Sequence, residues 1–307
     1  MLASFIIIAP VFAVIALGWL AVRLRLIRGE TGDGVADFVF VIALPLMLFR
    51  TIATVELPAS PPWAFWLSYY IGLALTWMMI APIARHVFGR KQKEAAIIGF
   101  TVGQSNIVLL GIPLILRVFG DDGRVPLFLL VAVNLPVTMT VATLLIESAG
   151  DSGSRFRSIV AKLVRNPILI GISAGFVWRQ TGLPLPDVAS TSLRFIADAA
   201  APCALFAMGA ALSRYGLGGE RLLLVLVVAL KLLVFPALVL VLTTRVFTMP
   251  PIWSAVATVL AASPCGVNAY LLAERYKLGM GIASGAIAVS TVLSVATTAF
   301  WLWIVRG

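Results

Sequence analysis

The chain has 307 residues, 61% of them hydrophobic and only 12% charged, with a mean hydropathy of +1.05. Soluble domains carry about 25% charge, so this composition excludes a soluble globular protein, and the length is better counted in bilayer crossings of about 20 residues each. The net charge of +10 does not mark a nucleic-acid-binding protein, because the basic residues sit in short loops between apolar runs, as the positive-inside rule requires.

Apolar runs bounded by charge or turn residues predict ten spanning helices, at 3–22, 35–54, 63–86, 94–118, 125–147, 160–180, 193–213, 221–245, 252–274 and 281–304. The first run has no basic residues ahead of it and is followed by Arg23, Arg25 and Arg28. That order suits a retained helix with its N-terminus outside, not a cleaved signal peptide. In this orientation fifteen of the 23 Lys and Arg residues fall on the inner side and seven on the outer, with Lys231 inside a helix. Both termini are therefore expected outside. The sixth helix is the least regular, being interrupted by Arg165-Asn166-Pro167. Cys203 and Cys265 both lie in apolar runs and read as small buried hydrophobes, not as a disulfide or a metal cluster.

An internal repeat organises these helices. Pro45-Leu-Met-Leu48-Phe49 recurs as Pro202-Cys-Ala-Leu205-Phe206, 157 positions later. The same shift lays Gly18-Trp19 on Gly175-Phe176, and Asn106 lies 162 positions before Asn268. The expected fold is thus an all-α polytopic membrane protein of two five-helix repeats, 1–147 and 159–307, joined by a polar inner linker at 148–158. Because five is odd, the second repeat must run through the membrane in the opposite sense, the plan of many secondary transporters.

Two segments interrupt the apolar pattern at corresponding places in the halves, in helices four and nine. The first runs from Thr101 through Gln104, Ser105 and Asn106 to Gly111 and Pro113; the second runs from Ala262 through Ser263, Pro264 and Gly266 to Asn268 and Tyr270. Gly111, Pro113 and Pro264 are the expected helix-breaking residues. A backbone break in hydrocarbon is tolerated only when buried in protein or lining a wet cavity. It also exposes half-helix ends, whose N-termini attract anions and whose C-terminal carbonyls attract cations. Asn106 and Asn268 are expected to face one another across a midplane site, with Gln104, Ser105, Ser263 and Gly266 beside them. Either segment alone reads equally as a capped kink; the matched pair reads as a binding site.

Lys231 lies about ten residues into helix eight, a depth at which a charge is costly and points to function. Attraction of an anionic substrate, gating, structural pairing with Asp198, and snorkelling to an interface are the roles open to it. Asn134, ahead of Leu135-Pro136, either reaches the cavity or satisfies a kink. Asp198, Glu147 and Glu274 read as helix-end acids, and His86 and Arg50 as interfacial residues.

At these positions the chain resembles the auxin efflux carrier family, including bacterial members named malonate or malate permeases. The resemblance spans essentially the whole chain. It is carried by Ser105-Asn106 with Gly111-Ile112-Pro113, by Ala201-Pro202 with Leu205-Phe206 and Met208-Gly209, by Lys231-Leu232 with Pro236, by Pro264 with Asn268-Ala269, Leu272-Ala273 and Tyr276, and by Ala283-Ser284 with Ser290-Thr291 and Ser294. One position departs: Val108 stands where the family often has glycine. The resemblance implies a scaffold of helices one, two, six and seven and a mobile domain of helices three to five and eight to ten. It also implies broken helices that cross beside the substrate, elevator-like movement, and a homodimer formed through the scaffold.

The expected activity is therefore secondary transport of a small organic anion, most simply a carboxylate, across the plasma membrane, with no cofactor and no metal. A cation-coupled symporter or antiporter of the bile-acid or sodium/proton type is the rival within transport; it would usually want a carboxylate at the crossover, and none stands beside Asn106 or Asn268. A membrane-embedded enzyme is disfavoured by the single histidine and the lack of metal-ligand spacing. A channel is disfavoured by the paired breaks, which suit alternating access.

Overall fold

The computed structural model describes residues 2–54, 62–147, 165–215 and 220–306. Among the described residues the regular structure is entirely helical. In chain order the helices are α1 (Leu2–Arg23), α2 (Gly29–Thr54), α3 (Trp63–His86), α4 (Gln92–Gly103), α5 (Ile107–Phe119), α6 (Arg124–Glu147), α7 (Pro167–Gln180), α8 (Asp187–Leu212), α9 (Arg221–Val246), α10 (Pro251–Ala262), α11 (Val267–Tyr276) and α12 (Met280–Arg306). Seven of them, α1, α2, α3, α6, α8, α9 and α12, are long and apolar enough to cross a membrane. The expected fourth helix is divided into α4 and α5, and the expected ninth into α10 and α11. The expected linker at 148–158 and the start of helix six at 160–164 lie outside the described residues.

Large apolar side chains stand exposed on the outer faces of these helices, while several hydroxyls are buried with the apolar core. Ile6, Leu17, Leu67, Met78, Val225 and Val292 are exposed, whereas Thr76, Thr101, Thr258 and Ser294 are buried. Each of those four hydroxyls donates to a carbonyl three or four residues earlier in its own helix. Such local bonding is how a polar side chain is satisfied where no water is available.

Among the described residues, three of the four irregular turns closely precede a proline; the fourth, Leu242–Val246, does not. Widened, π-helical turns at Val39–Ala43, Ile107–Gly111 and Leu230–Val234 each end two residues before a proline, Pro45, Pro113 and Pro236. A proline ring clashes with the carbonyl four residues back and offers it no N–H, so the turn ahead of it opens. At Pro236 the carbonyl deprived of a partner is that of Leu232, and the Trp301 indole Nε1 donates to it at 2.8 Å.

The tightest packings join the two halves reciprocally, α1 against α8 and α2 against α7. Glycines set these approaches. A Cβ on Gly18 would strike the Phe206 carbonyl, and one on Gly175 would lie 2.8 Å from the Phe49 carbonyl. Gly18 and Gly175, like Phe49 and Phe206, are 157 residues apart, so these are one contact with its partners exchanged. Reciprocity continues elsewhere: α3 packs on α4 as α9 does on α10, and α4 on α6 as α10 on α12.

Candidate functional site

The breaks fall at Gln104–Asn106, between α4 and α5, and at Ser263–Gly266, between α10 and α11. The two extended segments cross as an antiparallel bridge centred on Ser105 and Cys265. Asn106 N donates to the Pro264 carbonyl at 2.8 Å, and Gly266 N to the Gln104 carbonyl at 2.7 Å. The Cys265 N–H is taken by Ser290 Oγ of α12 at 2.9 Å. Each break thereby supplies the backbone partners that the other lacks, which removes the penalty that hydrocarbon imposes on an interrupted helix. Pro264 lies in the second break as expected. Gly111 and Pro113 do not break the chain: Gly111 closes the π-helical turn of α5 and Pro113 continues it, so the helix resumes before either is reached.

A cavity of about 210 Å³ adjoins the crossover. Gln104, Ser105, Asn106, Gly266 and Asn268 line it from the crossover, Asn134 from α6, Phe40 from α2 and Asn166 from the start of α7. Asn106 and Asn268 thus share one cavity, but their roles differ. Asn106 Oδ1 accepts from Leu109 N at 3.3 Å, capping α5, and its Nδ2 points to Met208 Sδ at 3.4 Å. Asn268 is half-buried on the first turn of α11, where Ala269 N donates back to the Gly266 carbonyl at 3.0 Å and the N–H groups of Val267 and Asn268 precede the first intrahelical bond. Gln104 and Asn134 are 3% and 4% exposed, and Gln104 Oε1 and Asn134 Oδ1 have no hydrogen-bond partner among the described residues. A Cβ on Gly266 would sit 3.0 Å from the Ser105 carbonyl and 3.2 Å from Gln104 Cγ.

Two expected site residues lie off the cavity. Ser263 Oγ turns back to the Val259 carbonyl at 3.2 Å. Lys231 stands behind the crossover, fully buried, and donates to Ser105 Oγ and, at 3.0 Å, to the Ala261 carbonyl. Its Nζ also lies 4.7 Å from the Phe235 ring centroid. An ammonium has three donors and a preference for aromatic faces, and these three neighbours satisfy it. The Ala261 carbonyl belongs to the C-terminal turn of α10, where a cation meets the negative helix end. Asp198 is exposed and does not pair with Lys231.

The profile of the family described as membrane transport protein matches residues 3–302. The chain belongs to that family. It is the family of the auxin efflux carriers, to which the sequence motifs pointed. Three curated relatives align with this transport protein over nearly their full lengths. A provisionally named malonate transporter of Rhizobium meliloti is 28% identical over 308 residues, covering 98% of this chain and 95% of that one. Uncharacterized transporters of Methanothermobacter thermautotrophicus and Methanocaldococcus jannaschii are 24% and 21% identical, with 96% of each chain covered in both cases.

Other residues join the candidate site of this transport protein. Tyr69 donates to Ser105 Oγ at 3.2 Å, so that hydroxyl receives both Tyr69 and Lys231. A signal existed: Tyr69 precedes Lys231 by 162 residues, the spacing of Asn106 and Asn268. Asn166 was read as an interruption, yet it starts α7, its Oδ1 accepting from Ile168 N and Leu169 N with Pro167 at the first helical position. A second cavity of about 380 Å³ shares Phe40, Leu109 and Val267 with the first and is edged by Asp33, Arg214, Tyr215, Tyr270 and Glu274. There the Arg214 guanidinium forks onto Asp33, which raises its pKa further, and burial pushes the Tyr215 hydroxyl up to about 12.

Proposed function

We propose that the chain is a secondary carrier of small organic anions, carboxylates foremost, working by elevator-type alternating access in the plasma membrane. The observation that carries this reading is the paired crossover, which walls a cavity with the N-terminal turn of α11 and several amide side chains. A helix N-terminus favours anions through its unpaired N–H groups and its dipole. Lys231, one side chain behind Ser105, adds a positive charge to the same region. No Asp or Glu lines the cavity among the described residues, an arrangement better suited to an anion than to a cation.

The ten-crossing plan belongs to this proposal, with broken helices four and nine counted as one crossing each. The exchanged contacts of Gly18 with Phe206 and Gly175 with Phe49 support two inverted repeats, 1–147 and 159–307, with both termini outside. In that plan α1, α2, α7 and α8 form the scaffold and the dimer face, and α3–α6 with α9–α12 form the moving body. The moving body carries Gln104, Asn134, Lys231 and Asn268 together, whereas Phe40 and Asn166 stay behind. The name of the Rhizobium meliloti relative makes malonate the first substrate to try.

Purified protein in proteoliposomes is expected to take up one or more labelled mono- or dicarboxylates saturably and selectively. Imposing pH and Na⁺ gradients separately identifies any coupled ion. Currents that do not saturate, or no flux across the whole panel, would overturn the reading.

A further inference from the structure

Five amide side chains line the crossover cavity, and no charged side chain does so among the described residues. Two of the five are engaged within the protein. Asn106 caps α5 and contacts Met208, and Asn166 caps α7. That leaves Gln104 and Asn134, both buried with carbonyl oxygens that have no partner among the described residues, and the half-buried Asn268.

A primary amide presents two donors and one acceptor oxygen. A carboxylate offers acceptors only. It can satisfy the amide N–H groups and the open N-terminus of α11, but it leaves a buried amide oxygen unpaired, at a cost of about 1–3 kcal/mol. A group with both a donor and an acceptor, such as a carboxylic acid or a second amide, completes the pairing. Charge leads to the same place. The amine buried against the crossover is Lys231, with no carboxylate beside it among the described residues. With no charged side chain in the described lining, burying one negative charge in the cavity costs less than burying two.

We infer that the crossover cavity selects the singly protonated form of a short dicarboxylate: the carboxylate end at the N-terminus of α11 and Asn268, the carboxylic acid end on the amides of Gln104 and Asn134. The inference rests on the carrier reading above and names the species carried. The proton crosses with the substrate, taken up on one side and released on the other, so no titrating side chain is needed in the cavity. Among the described residues, the ionisable groups around it include Lys231, Tyr69 and Cys265 behind the crossover, Asp33, Arg214, Tyr215, Tyr270 and Glu274 around the adjoining cavity, exposed Asp37 one turn before the lining residue Val41, and exposed Arg165 next to Asn166.

The test compares three probes on the full-length protein in proteoliposomes, read as inhibition of carboxylate uptake: malonate, malonamate and monomethyl malonate. Malonamate is a monoanion with an amide donor at its second end; the methyl ester is a monoanion with none. Above the second ionisation of malonic acid, malonate is expected to weaken by about tenfold per pH unit. Malonamate is expected to hold its potency over that range, and the ester to be weaker by about tenfold or more. Asn134→Leu is expected to bring malonamate down to the level of the ester. Malonate potency that stays flat or rises with pH, or an ester as potent as malonamate, overturns the inference and leaves the carrier reading standing. No interaction with any carboxylate of two to five carbons overturns the carrier reading, and this inference with it.

Discussion

Ser105 is the hinge of the site's chemistry: its backbone pairs with Cys265 across the crossover, and its hydroxyl receives Lys231 and Tyr69 from behind. Replacing Lys231 with Met would leave the Ala261 carbonyl without its donor and the cavity without its positive neighbour. The expected result is a carboxylate flux reduced by about tenfold or more, with insertion retained, measured as uptake per reconstituted protein. Gly266→Ala should act differently. Its new Cβ would press on the Ser105 carbonyl and Gln104 Cγ, so the two breaks must part slightly. Overpacking of that kind typically costs about 1–3 kcal/mol. A lower melting temperature together with weaker substrate affinity is expected, and unchanged values of both would show that the crossover is looser than drawn.

At the scale of elements, proline and its compensations decide where helices open. Trp301→Phe should cost about 1–3 kcal/mol, because it leaves the Leu232 carbonyl buried and unpaired. In a Pro236→Ala background, where an N–H returns four residues after Leu232, the same change should cost less. A double-mutant cycle on thermal or denaturant stability measures that coupling, and strict additivity would contradict the assignment. Much of this level was legible in the sequence: both interruptions and their paired placement follow from composition and punctuation, and seven of the ten expected crossings are single helices long and apolar enough to span. The exact point of each break was not. Gly111 and Pro113 look like breakers, but Asn106 caps the helix ahead of them and the open turn Ile107–Gly111 absorbs the proline. Asn166 carries a signal that fits two readings, an interruption or a helix start, and only the capping bonds decide between them. Lys231 was legible as special, but its partners lie on a carbonyl and a hydroxyl brought close by the fold, which no linear spacing encodes.

At the scale of the whole molecule, the proposed inverted repeat draws its support from the exchanged contacts of α1 with α8 and of α2 with α7. Gly18→Val and Gly175→Val both insert bulk against a backbone carbonyl of the opposite half. They should lower stability by similar amounts, each about 1–3 kcal/mol, as followed by thermal unfolding in detergent or nanodiscs. A large loss from one and none from the other would argue against equivalent interfaces. If those interfaces form the fixed scaffold, the site travels with the moving body, and its lining, not its surroundings, governs flux. The most direct measurement is saturable carboxylate uptake into proteoliposomes by Gln104→Ala and Asn268→Ala, whose side chains line the cavity, against Ser263→Ala, whose hydroxyl bonds back into its own helix. The account predicts that the first two lose uptake and the third retains it; equal uptake by all three would contradict it.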